Sequence, residues 1–261
     1  MKCKKTAITY LLLIVSSIMF SQTFTYEYTY KLDSTDLNRI SQDVLNLEIN
    51  NSYSLFYSIN RLKRNNYAKA LETEIENNTL NLKSAPNPGV HWSIKNDSSR
   101  ESIMVYEDYS IYKYKYSDHI NLDWKLQDST KFYDHLKLHK ATTSFRGRDY
   151  IAWYTLEIPL SYGPYKFYGL PGLIVEIYDE NKNHHFKMVE TSKIKLDENY
   201  FSEFKLISKD DFKEFFDKYE LNPMSLIPET EGIRIPENQK KIHKERMEAR
   251  KARRNNFIEL R

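Results

Sequence analysis

Alternation of large apolar and polar residues marks the first strands of this chain. In FTYEYTYKL, residues 24–32, Phe, Tyr and Leu share one parity and Thr, Glu and Lys share the other, which predicts a half-buried β-strand. Two more alternating runs, 45–49 and 53–59, flank the turn-forming pair Asn50–Asn51 and predict a β-hairpin. The spacing becomes helical from Asn66 to Asn77, where we expect one short amphipathic helix.

Runs of β-branched and aromatic residues continue through the second half of the chain. They predict an antiparallel meander followed by two hairpins, at residues 103–106, 111–116, 122–126, 136–145, 150–158, 173–178 and 185–195. Ser208 and Asp211 then predict a helix start ahead of an apolar stripe over 212–219. With many strands and few helices, the sequence predicts an α+β fold. We expect a large curved antiparallel sheet, as a half-barrel or open barrel, with one or two helices packed on one side and a basic C-terminal helical tail.

Backbone control is concentrated in YKFYGLPGLIVEIYD, residues 165–179, in a chain with only six glycines. Proline fixes φ and removes a hydrogen-bond donor, whereas glycine permits positive φ and close backbone approach. A strand rather than a helix follows, which disfavours a phosphate-binding loop. We interpret the segment as a rigid crossing between two strands with an apolar underside. Its structural motif comprises Gly163, Pro164, Gly169, Leu170, Pro171 and Gly172.

The same stretch resembles a known protein family. The string GLPGLI and the preceding FRGRDYIAWYTLEIPLSYGPYKFYG are similar to the GLPGLI family of exported Bacteroidota proteins, most closely over residues 140–179. A weaker similarity extends over most of the chain, and RNNFIEL near its end resembles the Asn-Pro-Ile-Glu-Leu ending of the family. His139 stands where the family commonly has a cysteine, so no thiol-dependent role is implied. The resemblance implies an envelope location and no established activity.

The N-terminal residues have the pattern of a secretory signal peptide. A basic start is followed by an apolar run over residues 8–15, and we expect cleavage between Ser21 and Gln22. A retained membrane anchor is the alternative, but the run is shorter than the ~20 residues of a spanning helix. The predicted protein is therefore periplasmic or secreted and does not span the membrane after cleavage. It divides into a signal peptide (1–21), a β-rich domain (22–236) and a basic tail (237–261).

Charge and cysteine content narrow the possible partners. The only cysteine, Cys3, lies within the signal, so the exported chain depends on its core rather than on disulfides. Residues 237–261 carry nine Lys or Arg against four Glu, a net +5, and residues 22–236 carry −5. An acidic, exported body excludes nucleic acid as the expected partner. The tail could contact its own body or an anionic surface, and a solvated end is the alternative.

Histidines provide the only candidate metal ligands that stand out by spacing. His135 and His139 are four residues apart and could share one face, but a metal site needs a third ligand. Candidates are Asp134, His119 and the His184–His185 pair. The alternative is that these are ordinary exposed histidines. We predict no cofactor and no catalytic residues, because the sequence has no nucleophile elbow and the exported chain has no thiol.

Aromatic side chains are the main indication of function. The chain has 21 tyrosines, many interleaved with lysine, and rings with polar tips suit peptide, glycan or lipid-like ligands, although tyrosine also favours sheet faces. Candidate ligand-binding residues are Tyr26, Tyr28, Trp153, Tyr168 and Leu170. We expect a non-catalytic envelope protein that binds an apolar or peptide-like ligand, or an outer-membrane protein, as a binder, carrier or chaperone. The alternative is a periplasmic metal-binding protein or enzyme using His135 and His139.

Overall fold

The computed structural model describes the body of the chain and parts of its tail. The described residues are 22–36, 38–77, 89–97, 102–109, 112–191, 198–221, 241–242, 245–249 and 255–259. The predicted signal peptide and much of the predicted basic tail lie outside them. Within the described ranges, none of the helices has the length and apolar character that a membrane crossing requires.

Twelve strands form one open sheet in the part of the chain that the structure describes. They are β1 (Gln22–Lys31), β2 (Ile40–Ile49), β3 (Tyr53–Ser58), β4 (Trp92–Asp97), β5 (Ile103–Tyr109), β6 (Tyr112–Asp118), β7 (Lys125–Tyr133), β8 (Leu136–Phe145), β9 (Arg148–Thr155), β10 (Leu173–Asp179), β11 (His184–Thr191) and β12 (Lys205–Leu206). Their order is β12-β6-β5-β4-β3-β2-β1-β11-β10-β9-β8-β7, and the β12–β6 pair is parallel while the others are antiparallel. This architecture confirms the predicted α+β class with a large open antiparallel sheet.

Two α-helices and one short 3₁₀ helix accompany the sheet between residues 22 and 221, counted over the described residues: α1 (Ile59–Glu76), the 3₁₀ helix (Glu198–Phe201) and α2 (Lys209–Leu221). In the predicted tail, the described residues 241–242 and 245–249 are also helical. The predicted start of α1 at Asn66 is wrong, because the helix follows β3 directly and the Ser58 hydroxyl accepts a hydrogen bond from the Arg61 amide at 3.0 Å. The start of α2 is as predicted, with the Asp211 amide donating to the Ser208 hydroxyl at 3.0 Å.

The main core lies on one side of the sheet, which we call the inner face. Cross-strand register places Tyr28 opposite Phe186, and their rings stack with centroids 4.1 Å apart. The aromatic stripe of α2 covers the β5–β6 end of this face, where Phe212 stacks on Tyr116 at 5.0 Å. A small second cluster on the opposite face packs Leu62 of α1 against Leu55 and Tyr57. Burial of the α2 rings, such as Phe212 against Tyr116, fixes the position of α2 over the inner face.

The crossing between β9 and β10 is close-packed. Leu170 is buried, and the Ile174 amide donates to the Tyr162 carbonyl at 3.0 Å, which ties the crossing to β10. Gly169 has a φ of +98°, a conformation that L side chains rarely adopt. A Cβ at Gly172 would lie 1.9 Å from the Thr155 carbonyl oxygen, so only glycine fits there. These two constraints explain why glycine occupies positions 169 and 172.

Two strands depart from the sequence-based prediction. Residues 119–124 form no strand, and β7 runs from Lys125 to Tyr133, so the strand expected over 122–126 starts three residues too early and ends too early. As an edge strand β7 is exposed over most of its length and does not need the alternation that marks a half-buried strand. The short strand β4 has apolar side chains only at Trp92 and Ile94, too few to show a period.

Candidate functional site

A cavity of about 440 Å³ lies between the inner face, α2 and the segment formed by residues 255–259. We call this segment the docked segment. Much of the cavity wall is aromatic, and its rings include Tyr28, Tyr30, Trp92, Tyr109, Phe212 and Phe216. These residues come from β1, β4, β5 and α2, so the cavity depends on the strand order as well as on the helix.

Buried hydrogen bonds from β9 hold the docked segment in place. The Arg148 guanidinium donates through Nη2 to the Asn256 side-chain oxygen at 2.6 Å and through Nε to the Phe257 carbonyl at 3.0 Å. Its Nη1 pairs with Asp179 at 3.0 Å, which balances the buried charge. The Tyr150 hydroxyl donates to the Ile258 carbonyl at 3.0 Å. The segment therefore forms a fixed wall of the cavity.

A cluster of charged side chains closes one end of the same cavity. The Asp118 carboxylate accepts hydrogen bonds from Lys166 at 2.8 Å, Lys209 at 2.6 Å and Arg146 at 2.9 Å. Burial alone would raise the pKa of Asp118, but Lys166 and Lys209 lower it to about 2. Lys166 is itself buried and also donates to Glu259 of the docked segment at 2.5 Å. The cluster thus joins β6, the crossing, α2 and the docked segment.

His184 is held as a neutral donor and acceptor beside Arg148. Its Nε2 lies 3.1 Å from the Asn256 carbonyl, which can only accept, so Nε2 carries the proton. Its Nδ1 therefore accepts from the Tyr28 hydroxyl, at 2.7 Å. Burial and the neighbouring guanidinium lower the pKa of His184 to about 3. The imidazole consequently stays uncharged over the whole physiological range of pH.

The five residues predicted to bind a ligand occupy different parts of the molecule. Of these, Tyr28 lines the cavity. Tyr26 is fully buried, and its hydroxyl donates to the Ile174 carbonyl at 2.6 Å. Leu170 is also buried, beneath the crossing. Both therefore belong to the core that supports the cavity.

The remaining two predicted residues lie away from the cavity. The Tyr168 carbonyl accepts a hydrogen bond from the Trp124 indole at 2.8 Å, which anchors the crossing. Trp153 lies on the outer face, where its indole donates to the Tyr178 hydroxyl at 3.3 Å and the Lys131 ammonium lies 4.3 Å from the ring centroid. Strand parity separates Trp153 from the inner-face rings, as the alternation of β9 requires.

The candidate metal ligands are dispersed. His135 is exposed in the turn between β7 and β8, with its Nδ1 2.7 Å from the Asp134 carboxylate, and His139 lies within β8 beside Tyr154. His184 is in the network described above, and His185 contacts Glu176 at 2.8 Å. Across the described ranges, no group of three or more His, Cys, Asp or Glu side chains could hold a metal ion.

Sequence reasoning missed the polar residues that build the site. Arg148, Lys166 and Asn256 lie in the strings FRGRDY, YKFYG and RNNFIEL, which the sequence analysis considered for backbone control and family resemblance and not for these polar side chains. The Arg148–Asn256 contact spans 108 positions, so no local pattern reveals it. This contact could have been inferred only if the three strings were found to occur together in related sequences.

Comparison with known proteins gives a partial family match and a shared fold. A family model described as "Protein of unknown function (Porph_ging)" matches residues 92–176, which include β4 to β9, the crossing and the start of β10. No curated protein matches the chain.

Two solved structures are similar in fold. "Structure of PNGF-II in P21 space group" has a TM-score of 0.52 and 15% identity, over 77% of this chain and 34% of that chain. "Structure of PNGF-II in C2 space group" has a TM-score of 0.51 and 17% identity, over 76% and 33%. The chain spans about a third of the length of these structures, and at this identity the similarity shows the fold alone.

Proposed function

We propose that this protein is a non-catalytic binding protein of the cell envelope that holds an apolar or peptide-like ligand, or part of an outer-membrane client, in the cavity beneath α2. The observation that carries this proposal is the aromatic-lined cavity of about 440 Å³ on the inner face of an open sheet. Small-molecule sites commonly have volumes of roughly 300–1,000 Å³ and mainly apolar walls with a few polar groups. The rings around this cavity provide such walls.

The polar groups beside the cavity favour binding over catalysis. Asp118 and Glu259 are engaged by cationic partners, and Lys166 is shared between them. His184 is neutral and has hydrogen bonds at both ring nitrogens, so it is poorly suited to act as a general base. These groups hold the walls of the cavity together.

The envelope location is part of the same proposal. It is supported by the signal-like residues 1–21 and by the resemblance to the GLPGLI family, whose closest part, residues 140–179, overlaps the match to the family of unknown function at 92–176. We propose that the chain is a GLPGLI-type protein whose mature form begins at Gln22. A role as carrier or chaperone would follow if the ligand is a lipid or a hydrophobic segment of an outer-membrane protein.

Binding of an apolar fluorophore to the folded protein tests the proposal. We expect saturable binding at a single site, and displacement by an envelope lipid or a hydrophobic peptide. Leu32 lines the cavity, so Leu32→Trp should narrow it and weaken binding by about tenfold, which corresponds to ~1.4 kcal/mol. The matched control Leu156→Trp changes a side chain that is exposed and outside the cavity. If both variants melt like the wild type and bind the fluorophore with equal affinity, the fluorophore binds outside the cavity and the proposal is wrong.

A further inference from the structure

The docked segment, residues 255–259, is held by the body in the way that a protein holds a bound peptide. Three successive carbonyl groups of the segment, at positions 256–258, accept hydrogen bonds from side chains of the body. The donors, in that order, are His184, Arg148 and Tyr150. These bonds are made to the main chain of the segment, so they set no requirement on the side chains at positions 257 and 258.

Two side chains of the segment are recognised individually. The Asn256 side-chain oxygen accepts a hydrogen bond from Arg148 Nη2 at 2.6 Å. The Glu259 carboxylate accepts from the Tyr165 hydroxyl at 2.6 Å and from the Lys166 ammonium at 2.5 Å. Hydrogen bonds with an ionised donor or acceptor are stronger than those between neutral groups. The body therefore selects a segment in which a glutamate follows an asparagine by three positions.

The body positions these donors through contacts of its own. Arg148 pairs with Asp179 at 3.0 Å through Nη1, and Lys166 donates to Asp118 at 2.8 Å. The five donor residues are all buried, and together we call them the peptide groove: Arg148, Tyr150, Tyr165, Lys166 and His184. Because buried donors in folded proteins nearly always have acceptors, the peptide groove requires a segment that supplies carbonyl and carboxylate oxygens.

We propose that the peptide groove binds a segment of another protein with the pattern Asn-x-x-Glu, and that the docked segment is an internal competitor for this site. The inference goes beyond the proposed function, because it assigns a partner to the groove beside the cavity rather than to the cavity itself. Asn256 and Glu259 also line the cavity. Displacement of the docked segment by a partner would therefore widen the cavity on that side.

A second copy of this chain is the less favourable partner. In each copy the docked segment already fills the groove of its own body, so an exchange of segments between copies gains no contact that the separate copies lack. A protein that has an Asn-x-x-Glu segment but no groove of this kind gains every one of these hydrogen bonds. The peptide groove is therefore assigned to a different protein that presents such a segment.

A synthetic peptide of residues 255–261, labelled with fluorescein at its amino terminus, tests the inference. The whole chain with both Asn256→Ala and Glu259→Ala weakens the internal competitor and leaves the peptide groove unchanged. We expect the peptide to bind this double variant at least about tenfold more tightly than the wild type in fluorescence anisotropy, because the tethered segment has a high effective concentration in the wild type. The peptide should also raise the melting temperature of the double variant.

Matched changes separate specific recognition from general adhesion of the peptide. A peptide with lysine in place of its glutamate should bind the double variant at least about tenfold more weakly, because its charge repels Lys166. Adding Tyr165→Phe to the double variant removes one donor to the glutamate of the peptide and should weaken binding by about tenfold. Adding Tyr178→Phe instead makes the same change beside Trp153 on the outer face and should leave the affinity unchanged.

Absence of peptide binding to the folded double variant overturns the inference, as does equal binding of the glutamate and lysine peptides. If the double variant does not fold, Glu259→Gln replaces it, since this change keeps an acceptor oxygen for Tyr165. The peptide should then bind Glu259→Gln about fivefold more tightly than the wild type, and equal affinity overturns the inference. A wild-type dimer in light scattering that Glu259→Gln dissociates would contradict the assignment to a different protein.

Discussion

Acidification should destabilise this protein through His184. The pKa of this imidazole is about 3 in the folded protein and about 6.5 when unperturbed, because burial and Arg148 disfavour the charged ring. The unfolded chain therefore binds a proton first, and stability is fully present above pH 6.5 and falls as the pH drops towards 3. Between pH 7 and pH 5 the linkage relation gives a loss of about 2 kcal/mol in the free energy of unfolding from this one group.

Urea unfolding at pH 7, 6 and 5 measures this loss. His184→Gln removes the titration, so the variant should start from a lower stability and lose about 2 kcal/mol less than the wild type over the same interval. His135→Gln is the control, since that side chain is exposed in a turn and should leave the wild-type pH dependence intact. The reasoning is refuted if the wild type and His184→Gln lose the same free energy between pH 7 and pH 5.

Three further outcomes can be checked independently. Gly172→Ala should cost about 1–3 kcal/mol in thermal or urea unfolding, because its Cβ would collide with the Thr155 carbonyl; an unchanged melting temperature would contradict this. A ligand in the cavity should quench Trp92 fluorescence, so Trp92→Phe should remove most of the ligand-dependent signal, and Trp153→Phe on the outer face should keep it. N-terminal sequencing of the envelope fraction should find Gln22 first, and an intact Met1 would rule out cleavage.

Local patterns predicted much of the sheet. The alternation in β1 reflects burial of one face, and Ser208 marks the start of α2 through its hydroxyl. In β3 both faces are buried, because Phe56 lies in the main core while Leu55 and Tyr57 pack in the second cluster. The edge strand β7 escaped prediction because solvent contacts most of its side chains, so burial imposes no period on its sequence. The sequence did not reveal the true start of α1, because Ile59, its first residue, continues the apolar alternation of β3 and was read as part of that strand.

The candidate site was much less accessible to sequence reasoning. Tyr28 was identified because its strand is half-buried and aromatic, but the same argument selected Tyr26, which proved to be core. The parity of a residue within a strand shows which face of the sheet its side chain is on. It does not show whether a cavity lies next to that side chain. The charged residues were missed for another reason: a buried lysine such as Lys166 is unusual, and its partners Asp118 and Glu259 lie far away in sequence.

A crystal structure of the protein with the apolar fluorophore bound tests the central claim most directly. The account predicts that the ring system of the fluorophore lies in the cavity against Trp92 and Tyr109. A probe bound to any other surface while the cavity remains empty would contradict the proposed binding function.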